Sequence, residues 1–415
     1  MSEAFAIGGA TILAGSGFEV IRGGFLVIQS GRIAAIGAGT PPRDIATVLD
    51  AHGAILAPAF INAHTHVSDV IAKEAAFGLP HWQAVMPPDG VRHVALRNTS
   101  SAALESGMAD VVNHMIAAGT STFCDFREGG LAGVRALNNA ARGLPIRAVP
   151  LGRFASFPPQ TETEFQDNRA GLNEQRRAEV EEVLREAGGF SCVSANDLTD
   201  PALSELHDRV KGASRLLAVH VSESPEYRSI SLGRTGTGDV DRVLRFLRPD
   251  FVVHLTDAVP NELDRLAAAR MPAVVCPRIQ GVMGLGVPRF DLMMERGMTV
   301  ALGTDNLFLC SPDMLREVDY SSRVIRALRK DPRFPSAVQM LQMITISAAK
   351  VLGMDAEIGS LEVGKRADIV AFDSASLNLR PVRDPVATLV NRGESRDIMA
   401  VFHEGALVRG GFETA

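Results

Sequence analysis

The chain is short of aromatic residues and of basic charge. It has one tryptophan and two tyrosines in 415 residues, and 42 Lys+Arg face 48 Asp+Glu, a net charge of −6. Nucleic-acid binding needs a basic face and stacking platforms, so that class is set aside. Long apolar runs are also missing. Every hydrophobic stretch is short and broken by charge, and no membrane span is expected. The first residues, Met-Ser-Glu-Ala-Phe, carry no basic segment leading into an apolar run, so no secretory signal is read there. Cysteine is scarce: Cys124, Cys192, Cys276 and Cys310 lie far apart with no Cys-x-x-Cys. A disulfide framework is not expected, and a reducing cytoplasm is the expected setting. The rest, 46% hydrophobic and 22% charged, is ordinary for a globular protein.

Both ends of the chain read as strands punctuated by glycine turns. Phe5–Leu13, Phe25–Gln29 and Arg32–Ile36 lie at one end; Asp368–Phe372, Ile398–His403 and Ala406–Arg409 lie at the other. The middle alternates apolar strands with helical stretches. The strands are Ile55–Asn62, Thr120–Phe126, Ile146–Leu151, Phe190–Ser194, Leu216–Val221, Phe251–Leu255, Ala273–Cys276 and Thr299–Thr304. Asn173–Ala187, Asp239–Leu247 and Asn261–Ala269 have helical patterns. Eight β/α units across roughly 290 residues predict an α/β fold, a (β/α)8 TIM-like barrel. The barrel is placed at residues 57–356, and residues 1–56 and 357–415 form a small discontinuous β-sandwich module.

Chemistry in such a barrel sits at the C-terminal ends of the strands. Four apolar runs end in polar, titratable residues: Asn62-Ala63-His64-Thr65-His66, Val219-His220-Val221-Ser222-Glu223, Val253-His254-Leu255-Thr256-Asp257 and Leu302-Gly303-Thr304-Asp305. Two residues apart on a strand, His64 and His66 share one face. A single buried histidine is usually a satisfied core residue, but four strand ends of this kind are not independent accidents.

His64-Thr65-His66, His220, His254 and Asp305, on strands one, five, six and eight, resemble the amidohydrolase superfamily. Leu56-Ala57-Pro58-Ala59-Phe60-Ile61-Asn62 is similar to that family's lead-in, with Ala59 and Asn62 as departures, and Gly359-Ser360-Leu361-Glu362-Val363-Gly364-Lys365 resembles its return to the β module. The carboxylated lysine that bridges two metals on strand four is missing from Phe190–Asp197, so one metal is expected. The Glu223 spacing, Glu226 after it, and Cys276-Pro277-Arg278 resemble the deaminase and chlorohydrolase branch, of the cytosine deaminase type.

The resemblance implies one divalent metal, Zn²⁺ first and Fe²⁺ as the alternative, held by His64, His66, His220 and Asp305. Such an ion lowers the pKa of its water from about 15.7 to about 7. Glu223 is implied to relay protons with a raised pKa, His254 to stabilise an oxyanion, and Asp305 to orient the water. The implied reaction is hydrolytic deamination of a small amino-substituted N-heterocycle, nucleobase-like, releasing ammonia. Hydrolysis of a cyclic amide or a ring halide at the same centre is the alternative, and a non-catalytic ligand-binding barrel comes last. The family also implies a homo-oligomer.

Substrate contacts are read from the loops. Val67–His93 carries Lys73, His81, Trp82 and His93; it is either a lid whose Trp82 stacks on a ring or a hairpin packed on the barrel. Arg127 and Arg278 either meet a carboxylate or carbonyl of the substrate or serve structural networks, for Arg127 one with Glu128. Glu226 is the remaining substrate-binding candidate. Gly233–Gly238 lacks the ending of a phosphate loop and reads as a turn.

Overall fold

The apolar runs of the middle of the chain form one parallel sheet. In chain order its strands are β1 (Phe60–His66), β2 (Thr120–Arg127), β3 (Arg147–Gly152), β4 (Gly189–Cys192), β5 (Leu216–Val221), β6 (Phe251–His254), β7 (Ala273–Val275) and β8 (Val300–Leu302). The structure is a computed structural model describing residues 4–414. Each strand pairs with its sequence neighbour. Asp305–Asn306, just beyond β8, pairs with Thr65 and His66 of β1, so the last strand's continuation returns to the first. The eight-stranded barrel read from the sequence is therefore present. Its interior is filled by Ile61, Ala63, Cys124, Phe126, Phe251, Val253, Val274 and Ala301, all fully buried.

The helices between strands cover the outside, and their starts are written in the sequence. Asn173 caps Glu174–Glu186 by accepting from the Arg176 N–H, and Thr199 caps Asp200–Gly212 in the same way. No helix among the described residues is long and apolar enough to cross a membrane.

The chain ends build a second, nine-stranded sheet. Its order is Ala406–Gly410, Ile398–His403, Ile369–Phe372, Ile55–Pro58, Phe5–Ala14, Glu19–Gln29 and Arg32–Ala38, with Thr47–Asp50 and Glu413–Thr414 attached beside Phe5–Ala14. Its core joins Ile7, Ile12, Leu26 and Ile28 from one end to Ile369, Ala371 and Phe402 from the other.

One predicted strand is two. Ile55–Pro58 pairs antiparallel with Ile369–Phe372 in the terminal sheet, whereas Phe60–His66 is β1. The switch is made at Ala59, whose N–H bonds to Asp368 O, while the next N–H, of Phe60, bonds to Gly119 O. Apolar character runs unbroken across the join because both halves are buried, so periodicity could not reveal it.

Candidate active site

At the C-terminal ends of the strands the backbone leaves the sheet through unusual conformations. His254 has φ +81°, Leu255 +55°, Asp305 +59° and Ser222 +46°. Such values cost a non-glycine residue of order 1–3 kcal/mol and are held only where the surroundings over-determine them. Here they sit beside the four strand-end residues singled out above. The β8 backbone also presses on β1: a Cβ on Gly303 would lie 2.7 Å from His64 Cβ and 2.8 Å from its backbone nitrogen.

The strand ends bring His64, His66, His220, His254 and Asp305 together. One ligand atom from each of His64, His66 and His220 lies within 4.8 Å of the others, and the same holds for His64, His254 and Asp305. His64 Nε2 is 3.0 Å and His66 Nε2 3.4 Å from Asp305 Oδ1. His66 donates Nδ1–H to Phe126 O at 2.9 Å, which leaves the Nε2 lone pair facing inward. Burial drives the imidazoles toward the neutral form: His64 is lowered, His66 is brought down to about 3, and His220 lies well below its ordinary value. For Asp305, burial is outweighed by His64, His254 and His66, and its carboxyl is held below the usual range. Buried neutral imidazoles converging on an ionised carboxylate, with His64 Nδ1 left without a partner, form a donor set that fits one divalent ion of the zinc type. One neighbour competes with that ion. Arg153 Nη2 lies 3.2 Å and 3.3 Å from the two ring nitrogens of His220, and must turn aside for His220 to ligate. Cys192 is not among the converging atoms, and burial raises its thiol pKa.

Glu223 stands beside this cluster. Tyr227 donates its hydroxyl to Oε2 at 2.9 Å, and His81 Nε2 is 3.2 Å from Oε1. His254 Nε2 is 3.7 Å from the same Oε1. Gln280 Nε2 donates to His254 Nδ1 at 3.1 Å, which leaves His254 to carry its proton on Nε2, toward the cluster. A raised Glu223 pKa is not found. Burial pushes it up, but His254, His81 and His220 outweigh burial and hold the carboxyl well below the usual range.

The four substrate-contact candidates fall in three places. Trp82 and Glu226 line an outer cavity of about 760 Å³, where Trp82 is 65% exposed. Arg127 is buried away from it, bound to Ser68, Met108 Sδ and Glu128 and 3.3 Å from Asp125. Arg278 is bonded to the Ser311 and Asp313 carbonyls and lies 3.6 Å from Glu317, on a different groove. Both arginines are thus engaged within the chain, and neither lines the outer cavity. The cause for Arg127 is strand alternation: Phe126 packs 4.2 Å from the His64 ring inside the barrel, so its neighbour points the other way.

An inner void of about 30 Å³ lies among His66, His220, Glu223, His254 and Asp305. That is room for an ion or a water but not for a ring. Met86, Pro87, Val193 and Tyr227 line both the void and the outer cavity, so the two adjoin. Glu128, Arg92 and Arg153 form a buried charge cluster in the wall. Glu128 accepts from Arg92, from Arg153 at 2.7 Å and from Arg127 at 2.8 Å. Sequence reading missed Arg92, Arg153, Tyr227 and Gln280. Arg153 directly follows β3, so the strand-end rule could have found it. Arg92 and Gln280 lie on helices after strand ends, where no sequence signal marks direction.

Residues 55–408 match the model of the Amidohydrolase family. A putative aminohydrolase of Methanothermobacter thermautotrophicus is 33% identical over 384 residues, covering 92% of this chain and 94% of that protein. A 5-methylthioadenosine/S-adenosylhomocysteine deaminase of Thermodesulfovibrio yellowstonii is 27% identical, covering 94% and 89%. The crystal structure of an adenosine deaminase from Xanthomonas campestris with bound zinc superposes with a TM-score of 0.85 at 19% identity, covering 99% of this chain and 94% of that one.

Proposed function

The chain belongs to the amidohydrolase family, and from that premise we propose that it is a metal-dependent hydrolytic deaminase of an amino-substituted N-heterocycle. The observation that carries the reading is the convergence of His64, His66, His220 and Asp305 beside an ionised Glu223. These four side chains would hold one divalent ion, zinc in preference to iron, which supplies Lewis acidity and a water ionisable near neutral pH.

The chain's own groups do the rest. Glu223, ionised and within reach of the cluster, accepts a proton from water and delivers it to a ring nitrogen. His254, with Gln280 holding its Nδ1, turns Nε2–H toward the oxygen that gains charge. Tyr227 keeps Glu223 oriented. Loss of ammonia then leaves the ring carbonyl. The 30 Å³ void cannot take a ring, so the heterocycle must sit at the Met86–Pro87 wall with any substituent in the outer cavity, where Trp82 and Glu226 lie. The named relatives favour an adenosine-type ring over a cytosine-type one.

The test is an ammonia-release screen of the zinc-loaded protein with 5′-methylthioadenosine, adenosine, guanine and cytosine, with metal content measured alongside. We expect Glu223→Gln to keep its metal and lose about 10²–10⁴-fold in kcat. Unchanged kcat in that variant removes Glu223 from the role. Full turnover in protein shown to be metal-free removes the mechanism.

A further inference from the structure

The inner void of about 30 Å³ excludes the ring, so whatever the ring carries extends into the outer cavity of about 760 Å³. The lining of that cavity decides which substituent is taken. Part of it is apolar: Pro87, Phe157, Met283 and Leu285, with the exposed Trp82 beside them. Its charges are mostly of one sign. Three carboxylates, Glu162, Asp197 and Glu226, line it against one guanidinium, Arg234. Arg234 is already engaged: Nη1 donates to Asn196 O at 2.7 Å and Nη2 to Glu162 Oε1 at 2.8 Å. His81, the other basic group there, lies 3.2 Å from Glu223. Arg92 and Arg153 line only the inner void and are bound to Glu128. Asp197 and Glu226 have no ion-pair partner among the described residues; Asp197 accepts from the Ser194 N–H at 2.9 Å, and Glu226 is bonded to Ser224. Burial lifts the Asp197 carboxyl to about 6, still ionised at pH 7. A further acceptor lines the same cavity. Asn196 is 6% exposed; its Nδ2 donates to Tyr227 O at 2.8 Å, while its Oδ1 has no partner among the described residues. A buried acceptor of this kind is costly unless something donates to it.

We propose that the outer cavity selects a heterocycle whose substituent ends in a cationic, hydrogen-bond-donating group, an ammonium received by Asp197, Glu226 and Asn196, and rejects anionic substituents such as a phosphate. The proposal rests on the deaminase reading, which puts the ring at the Met86–Pro87 wall and its substituent outside. An ammonium brings positive charge to the two carboxylates and an N–H to the amide oxygen. A phosphate or carboxylate meets like charge and oxygen lone pairs at all three. The hydrocarbon of the substituent lies on the apolar wall, and the Trp82 ring adds an aromatic face that attracts a cation. None of these residues takes part in making or breaking a bond.

The experiment compares three compounds that share one ring: 5′-amino-5′-deoxyadenosine, adenosine and adenosine 5′-monophosphate, which are cationic, neutral and anionic at pH 7. Dissociation constants are measured by calorimetry on zinc-loaded Glu223→Gln protein, and kcat/KM on the zinc-loaded wild type. In both, the ammonium compound is expected to lead adenosine by about fivefold or more and the phosphate to trail it by as much, with the spread shrinking as salt rises. Glu226→Gln and Asp197→Asn should each cut the ammonium lead by about two- to fivefold, and Glu226→Lys should move the order toward the phosphate. Equal affinity for the three overturns the proposal, as does a lead for the phosphate, no binding of any of them, or an undiminished ammonium lead in the Glu226→Gln/Asp197→Asn double variant. Ammonia release without the expected ranking leaves the deaminase reading standing and sinks the charge selection. The expected ranking of dissociation constants without ammonia release from any compound does the reverse.

Discussion

Glu128 lies at the end of β2 and holds three arginines, and its neutralisation should be the most costly polar substitution in the wall of the site. In Glu128→Gln, Arg92 keeps Asp69 at 3.4 Å and Arg127 keeps Asp125 at 3.3 Å. Arg153 keeps no carboxylate: its other contacts are Ser191 Oγ at 3.2 Å and the His220 ring. One guanidinium, 2% exposed, is thus left uncompensated. Breaking a buried pair from one side costs about 3–5 kcal/mol, or about two to four powers of ten in the unfolding constant at about 1.4 kcal/mol per tenfold. Burial raises the Glu128 carboxyl, but Arg92, His66 and Arg153 prevail and hold it well below its ordinary value. A depressed folded-state pKa stabilises above the unfolded value and loses that effect as pH falls through the folded one. The gap between wild type and Glu128→Gln should therefore be full at pH 7.5 and narrow below about pH 4.5. Urea unfolding at fixed excess zinc measures it, with metal linkage held constant. The Glu128→Gln/Arg153→Met double variant should recover most of the loss, because no charge is then orphaned. A single variant within about 1 kcal/mol of wild type, or a double variant no more stable than the single, refutes the reasoning.

Gly303→Ala should lose bound zinc while keeping its far-UV circular dichroism, because the new methyl meets the His64 backbone; a full complement of metal in that variant contradicts the close approach. Trp82→Ala should leave unfolding within about 1 kcal/mol of wild type, since the residue is 65% exposed, while raising KM. An unchanged KM would mean the outer cavity is not used by the substrate. Chelation should lower Tm and abolish turnover together, and zinc add-back should restore both; a Tm indifferent to chelator would show that the histidine cluster binds no ion that stabilises the fold.

The barrel and the candidate site were legible because a polar residue closing an apolar run has few explanations. His64, His66, His220, His254, Glu223 and Asp305 all carry that mark, and the structure gathers them. Direction was less legible. Arg127 also closes a strand, yet alternation after Phe126 turns it outward, and Arg278 begins a helix whose Gln280, not Arg278, reaches His254. The protonation of Glu223 was misjudged because burial was considered without the imidazoles around it: His81 opens a short helix 142 residues away along the chain, and only the fold brings it near. Thr47–Asp50, which pairs with Phe5–Ala14, carries too short an apolar pattern to stand out.

The change of sheet at Ala59 ties the two ends of the chain to the first metal-binding strand. Ile55–Pro58 is held by Ile369–Phe372, and Asp368 O fixes Ala59 at the point where β1 departs toward His64. A chain cut before Ile369 therefore frees the root of β1, not a remote appendage. Loss of the segment from Ile369 onward should therefore be felt at the histidine cluster as well as in the terminal sheet, and the zinc content of such a truncated chain measures it.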